Sequence, residues 1–406
     1  MVLPSSQTAF TLEKDARAAT IHHHRHEIQR ITLGGPIVKI LHLNAGNESG
    51  GGMFHILSLL NELNREEFFL GVFEKGEMYK RGVEQNIQLV NFNQKSKFDF
   101  TVVRKIGTFI GKHGIDMIHT HGARANCYAP FIRKRTGVKW VVTVHSDPRD
   151  DFMGQGITGK VFTKTNLNAL KQADHFLAIS ERFKTILLDL GIPAEKITVI
   201  LNGIDFDKPL SKPFEREELG VNEGDFVMLM VARLEAVKNH KLALTAIRNL
   251  IQHHHQTGIK LLIVGDGSER EELESFVKSN GLSSCVGFLG HRNDVERLYP
   301  LSDLVLLTSY SESFPLVLLE AARSNVPVIT TDVGGVDLLI PSDDYGWIVP
   351  IDDEKSLTEK LLTAIELKRN ERLREIGQKL RMHSRDNFSV EHFAKNVYNV
   401  YLRLLG

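Results

Sequence analysis

Two glutamates, Glu312 and Glu320, stand eight positions apart in SYSESFPLVLLEAARSNVPVITTDVGG, on either side of Pro315. Proline suits the first turn of a helix, where its missing N–H needs no partner. Glu312 is therefore expected on a loop, and Glu320 inside a helix over 315–324. A helix N-terminus offers unpaired N–H groups and a positive dipole end, which suit an anionic phosphate. Carboxylates beside it can accept the hydroxyls of a sugar or a ribose. Taken singly, Glu312 need only complement the dipole and Glu320 need only be solvated. Their joint placement, followed by an apolar run at 327–330 and Gly334-Gly335, reads as a site.

Two cations lie upstream. Arg233 follows a strand-like run at 227–231, and Lys238 lies on the loop beyond it. Fixed cations there can neutralise a diphosphate and the charge that grows on it as it leaves. They can take the place of a metal, and no acidic pair is placed to hold one, so neither a cofactor nor a required metal is expected. Gly265 and Gly267 form a GDG turn after a second strand-like run, a weak signal alone because any tight turn needs glycine. Gly50, Gly51 and Gly52 separate an apolar run from a helical pattern, and let backbone approach a phosphate or a reacting sugar. A flexible turn is the alternative. His145 ends WVVTVH, and His119 and His121 form an HTH triplet at another strand end. His121 can line an acceptor pocket; a structural role weighs about equally for each of the two.

These residues need a scaffold that alternates strand and helix. Apolar runs without helical spacing occur at 37–43, 68–73, 87–92, 117–119, 140–145, 176–179 and 197–200, with helical patterns at 53–63, 102–113, 124–136, 160–173 and 181–190 between them. After a Pro- and charge-containing stretch at 202–222 a second series begins. Its strands are expected at 227–231, 260–264, 286–288, 304–308 and 327–330. Its helices are expected at 240–254, 269–280, 295–301, 315–324, 357–367, 369–387 and 390–405. Repeated βα units imply an α/β protein with two doubly wound parallel sheets, and a ligand in a cleft at the carboxyl ends of strands.

Bulk properties exclude several classes. The 406 residues suffice for two or three domains, and 42% hydrophobic with 25% charged residues is ordinary for a globular chain. Lys+Arg and Asp+Glu are both 50, which argues against a nucleic-acid partner. Cys127 and Cys285 have no metal-like spacing and read as free thiols in a reducing cytoplasm. Neither a signal peptide nor a membrane span is recognisable. Residues 1–37 are expected to be a disordered or non-native extension, and His22, His23, His24 and His26 at most an adventitious metal tail. Val38 reads as an alternative GTG start, with Gly34-Gly35 as a translated ribosome-binding sequence; the intact mass of the native protein tests this.

The glutamate segment, together with VILNGID, VARLEAVKN, LLIVGDGSEREELE and VGFLGHRNDV, resembles the retaining GT-B-fold glycosyltransferases of family 4 (glycosyl transferases group 1). The resemblance runs from Val38 nearly to the end. It implies two tandem Rossmann-like domains facing a central cleft. Residues 38–208 would hold the acceptor, 209–222 would be a linker, and 223–387 would hold the donor. A last helix, within 388–406, would cross back to the N-terminal domain. The implied donor is a nucleotide-diphosphate sugar, with UDP chosen on prevalence, and the implied outcome is retention of configuration. By position, Arg233 and Lys238 resemble the pair on the diphosphate, Glu320 the ribose ligand and Glu312 the ligand of donor-sugar hydroxyls. The backbone of Ser313, Phe314, Pro315 and Leu316 would meet sugar and phosphates. Gly265 and Gly267 would shape the base side, Arg292 would lie where backbone meets the base, and His145 would orient a hydroxyl or share a proton. Front-face attack assisted by the departing phosphate, with an oxocarbenium-like transition state, is expected rather than a covalent bond to Glu312.

The acceptor is expected to be a glycan or a lipid-linked hydroxyl, in bacterial cell-surface polysaccharide synthesis. Arg133, Lys134, Arg135 and Lys139 around Phe131 and Trp140 suggest a peripheral contact with anionic lipid at the cytoplasmic face, or simply a solvated helix end. Arg323 and Asn325 stand where the family more often has small residues and glycine, and Asp337 where it usually has glutamate. Two alternatives stay open: a nucleotide-sugar epimerase of related fold, and a catalytically idle sugar-nucleotide-binding protein. An NAD dehydrogenase is disfavoured, because no G-x-G-x-x-G follows Leu43.

Overall fold

The computed structural model describes residues 37–48, 50–151 and 156–406. The histidine-rich tail and the ribosome-binding reading of Gly34-Gly35 lie outside these residues. The chain divides into two compact units between Trp140 and Val141.

The first unit contains β1 (Ile40–Asn44), α1 (Gly51–Glu62), β2 (Phe68–Val72), α2 (Glu77–Glu84), β3 (Leu89–Asn91), α3 (Thr101–His113), β4 (Met117–His121) and α4 (Ala123–Thr136). Strand β5 (Lys139–Val144) spans the division. Then come α5 (Gly156–Leu170), β6 (His175–Ala178), α6 (Glu181–Asp189) and β7 (Ile197–Val199). Their seven strands run in the order β3-β2-β1-β4-β5-β6-β7. Pairing is parallel around β1 and along β5, β6 and β7. Strands β1 and β2 are buried throughout, which is why they read as unbroken apolar runs.

The remainder comprises β8 (Phe226–Val231), α7 (His240–Gln252), β9 (Ile259–Val264), α8 (Arg270–Ser279), β10 (Val286–Gly290), β11 (Leu304–Leu307), α9 (Leu316–Arg323), β12 (Val328–Thr331), α10 (Val336–Leu339), β13 (Trp347–Val349), α11 (Glu354–Arg369), α12 (Leu373–Phe388) and α13 (Val390–Leu405). Its parallel sheet has the order β10-β9-β8-β11-β12-β13. Side chains alternate across it. Met228, Met230, Leu261, Ile263, Leu304 and Leu306 enter one core with α7 and α11. Val227, Leu229, Leu262, Val264, Val305 and Leu307 enter the other with α9. In both sheets the strand order reverses between adjacent strands, β1/β4 and β8/β11, and ligands of such sheets bind beyond the carboxyl ends at that point.

Several sequence expectations need correction. The expected helix at 295–301 is two short 3-10 turns, Val295–Arg297 and Tyr299–Leu301. Pro315 is not in the first helical turn; it has extended backbone (φ −80°, ψ 100°) and caps a helix that starts at Leu316. The short elements α2, α10 and β13 were not expected. Trp140 is no surface aromatic: it is fully buried and donates to Thr120 Oγ1 at 2.8 Å. Within 202–222, Phe206 and Val221 join the second core instead of facing solvent.

The last helix has a defined start and a contact near its end. Ser389 pairs with Ile204 as an isolated bridge, and its hydroxyl accepts from His392 N–H at 3.2 Å to start α13. Arg403 near the end of α13 then donates to Thr198 of β7 at 3.1 Å, so the chain returns to the first sheet. Among the described residues no helix is long and apolar enough to cross a membrane.

Candidate functional site

Arg233, Lys238 and Glu312 lie beyond the carboxyl ends of β8 and β11. After β8 the chain turns through Arg233 into a 3-10 turn, Ala236–Lys238, and Asn239 then caps α7 from a left-handed backbone (φ 46°). The GDG turn after β9 serves as the bed for this loop. Gly265 has φ 141°, and a Cβ there would lie 1.9 Å from the carbonyl oxygen of Ala232. A Cβ on Gly267 would lie 2.4 Å from that of Leu234. Backbone bonds lock the contact, from Leu234 N–H to Asp266 O at 3.0 Å and from Glu269 N–H to Leu234 O at 2.9 Å. Both glycines thus hold the backbone on either side of Arg233. The Arg233 side chain is exposed.

Lys238 and Glu312 meet directly. Their Nζ and Oε1 are 2.6 Å apart, and both side chains are largely buried. Ser309 donates to the same carboxylate oxygen at 2.7 Å. Thr308 bonds the carbonyl of Asn239 at 2.8 Å, Tyr310 N–H bonds that of Val237 at 2.8 Å, and Thr331 bonds that of Ser309 at 2.6 Å. Gly334 (φ 55°) closes the loop from the other side, since a Cβ there would come within 3.0 Å of Glu312 backbone. The β11–α9 loop is therefore held on three sides, and Ser313, Phe314 and Pro315 lead from Glu312 into α9.

Glu320 lies inside α9 as expected, and it is half-buried rather than fully solvated. Burial raises its pKa, opposed by the Tyr299 hydroxyl, which donates to Oε2 at 2.5 Å, and by the charge of Arg323. Burial pushes the Tyr299 phenol well above its ordinary range, so it remains a donor. Arg323, one of the departures from the family pattern, is 8% exposed and reaches the Asp205 carbonyl at 3.4 Å. Tyr299, Ser309 and Arg323 were not selected as site residues from sequence. Tyr299 lies 21 positions from its partner on a turn that sequence periodicity mistook for helix. Arg292 is engaged by Asp294 at 2.8 Å and lies over the Phe214 ring, 4.7 Å from its centre.

The remaining predicted residues lie elsewhere. Gly50 (φ 70°) begins α1 with no side-chain cap, and space is open around Gly50 and Gly51. A Cβ on Gly52 would collide with the Glu48 carboxylate. His121 ends β4 and is buried, while His145 follows β5 and is partly exposed. His42 of β1 joins His121, with Nδ1 and Nε2 3.0 Å apart, and burial together with His55 lowers the His42 pKa to about 3.

Comparison with known proteins gives this geometry its family. The model for Glycosyltransferase Family 4 matches residues 49–208, and that for Glycosyl transferases group 1 matches 211–380. The N-acetyl-alpha-D-glucosaminyl L-malate synthase of Bacillus anthracis is 28% identical over 78% of this chain and 83% of that protein. The UDP-Gal:alpha-D-GlcNAc-diphosphoundecaprenol alpha-1,3-galactosyltransferase of Escherichia coli is 27% identical over 62% and 66%. Among solved structures, Anabaena HepE in complex with UDP superposes with a TM-score of 0.75 at 22% identity, covering 90% of this chain and 100% of that one. The sucrose-phosphate synthase of Thermosynechococcus elongatus gives 0.66 at 19% identity over 90% and 99%. With two family models matching in succession and two Rossmann-like sheets behind them, the chain belongs to the GT-B glycosyltransferases of family 4, group 1, and is a glycosyltransferase.

Proposed function

We propose that the protein transfers a sugar, with retention of configuration, from a UDP-sugar to a hydroxyl of a glycan or lipid-linked acceptor in cell-surface polysaccharide synthesis. The observation that carries this is the contact of Lys238 with Glu312, beside the Arg233 loop and with Glu320 half-buried on the helix that follows. The diphosphate lies against Arg233, Lys238 and the N–H groups that open α9. Glu312 takes the donor-sugar hydroxyls and Glu320, ionised, takes those of the ribose. Both cations stay fixed while charge grows on the leaving diphosphate, so the site needs little reorganisation during the reaction. His145 orients a hydroxyl on the acceptor side. The choice of UDP and of a lipid-linked acceptor is supported by the galactosyltransferase relative, named for both.

An exposed aromatic patch supports work at a membrane face. Phe98, Phe100 and Phe131 are all exposed, and the rings of Phe100 and Phe131 meet edge to face at 5.3 Å. Lys97, Arg133, Lys134 and Arg135 neighbour them in sequence, a pairing of apolar rings with cations that suits an anionic lipid surface at the cytoplasmic side.

Thermal unfolding with UDP, GDP, ADP and NAD tests the donor assignment, because a ligand of the folded state must stabilise it. UDP should raise Tm in the wild type and lose that effect in Arg233→Ala and Glu320→Ala. No shift with any nucleotide at millimolar concentration would overturn the assignment. Proton NMR of the product then reads its anomeric configuration, and conversion of the donor without acceptor would instead mark an epimerase.

A further inference from the structure

Strands β1 and β4 are neighbours in parallel register, with His42 opposite His119. Residues two apart on a strand share a face, so His121 lies on the same side as His119. Three imidazoles therefore meet near the carboxyl ends of two adjacent central strands. His42 and His119 are 0% exposed and His121 is 1% exposed. Ring centres are 4.8 Å apart for His42 and His119, 4.2 Å for His119 and His121, and 5.3 Å for His42 and His121. One nitrogen from each ring can be chosen so that all three lie within 4.8 Å of one another. Asn44 braces the strand ends: its side chain donates to the His121 carbonyl at 3.2 Å and accepts from Gly46 N–H at 2.8 Å.

A core needs no polar ring at such positions, and apolar side chains would fill them at less cost. Imidazoles in contact from adjacent strands are a ligand set. A tetrahedral ion with nitrogen ligands at about 2.0–2.1 Å needs nitrogens roughly 3.3 Å apart. His42 Nδ1 and His121 Nε2 are 3.0 Å apart, and a nitrogen of His119 can be chosen with all three within 4.8 Å of one another, so small ring rotations reach that value. An all-imidazole set suits zinc, cobalt, nickel or copper, and disfavours magnesium and calcium, which prefer oxygen.

We propose that His42, His119 and His121 form a binding site for a zinc-type divalent ion that fastens β1 to β4 at the root of the loop between β1 and α1. Three protein ligands leave a fourth position for water or a neighbouring group. The site shares His121 with the acceptor residues named above and no residue with the donor set. It requires no metal in glycosyl transfer itself and stands whether or not the UDP-sugar assignment holds.

The test uses the full chain with His22, His23, His24, His26, His253, His254 and His255 changed to serine, which removes the runs of neighbouring histidines in the sequence, and with His55 changed to glutamine, which breaks the second group of imidazoles around His121. Cobalt(II) added to this background at pH 7.5 should bind at one ion per chain, give the visible bands of a four-coordinate ion, and be displaced by zinc. Zinc should also raise Tm, by mass action on the folded state. His42→Gln, His119→Gln and His121→Gln should each weaken cobalt binding at least tenfold while leaving the far-UV circular dichroism intact. Absence of cobalt and zinc binding in the background protein would overturn the proposal and leave the cluster as a hydrogen-bonded imidazole chain, as would unchanged stoichiometry in all three variants. Should the variants fail to fold, X-ray absorption at the zinc edge of the background protein decides: three imidazole shells near 2.0 Å support the site, and an oxygen-dominated shell overturns it.

Discussion

Arg233 and Glu320 show how differently two predicted ligands can be held. Arg233 is exposed, so Arg233→Ala should change stability by less than about 0.5 kcal/mol while weakening UDP binding at least tenfold by calorimetry. Glu320 is half-buried with a raised pKa, so the folded state holds its proton to higher pH than the unfolded chain does. Stability is therefore lost as pH rises from the ordinary carboxylate range through the raised value, while the ionised form needed by ribose hydroxyls is gained. UDP affinity should climb with pH over that window, and in Glu320→Gln it should be weak and flat. Both glutamates were legible in the sequence because one proline fixed the helix start to within a residue. Tyr299 and Arg323, which set the state of Glu320, were not, since neither turn geometry nor burial of a charge leaves a periodic signal.

The loop after β8 is shaped less by its own residues than by the glycine turn beneath it. Gly265→Ala must push a methyl group into the Ala232 carbonyl from a backbone that side chains rarely adopt. We expect a loss of roughly 2 kcal/mol or more by denaturant titration, with UDP affinity falling too because Arg233 shifts. Gly51→Ala, with open space and helical backbone, should leave stability nearly unchanged. Long elements were legible for plain reasons: a buried parallel strand is a continuous apolar run, and α3 and α13 carry a clear apolar stripe. The elements missed were short. A helix of 4 residues such as α10 completes barely one turn, and β13 has 3 residues. Trp140 misled for a related reason, because flanking lysines and arginines advertise a surface while strand alternation turns the ring inward.

At the scale of the molecule, buried histidines make the fold sensitive to acid. Burial lowers the pKa of His175 and of His240 from 6.5 to about 4, so the unfolded chain takes up protons that the folded one refuses. Stability is complete above pH 6.5 and falls as pH drops toward 4, by roughly 3 kcal/mol for each histidine at the lower limit. His240→Leu should shift acid unfolding, followed by fluorescence, to lower pH, since neither ring nitrogen of His240 has a hydrogen-bond partner. The pairing of Lys238 with Glu312 reaches further, into turnover. A diphosphate that draws Lys238 away strands a largely buried carboxylate unless the incoming molecule brings hydroxyls to replace it. An intact donor brings them and a spent nucleotide does not, so under the proposed function the enzyme holds its substrate more firmly than its by-product. Product inhibition by UDP should accordingly be weak, and Glu312→Gln should strengthen it relative to donor binding.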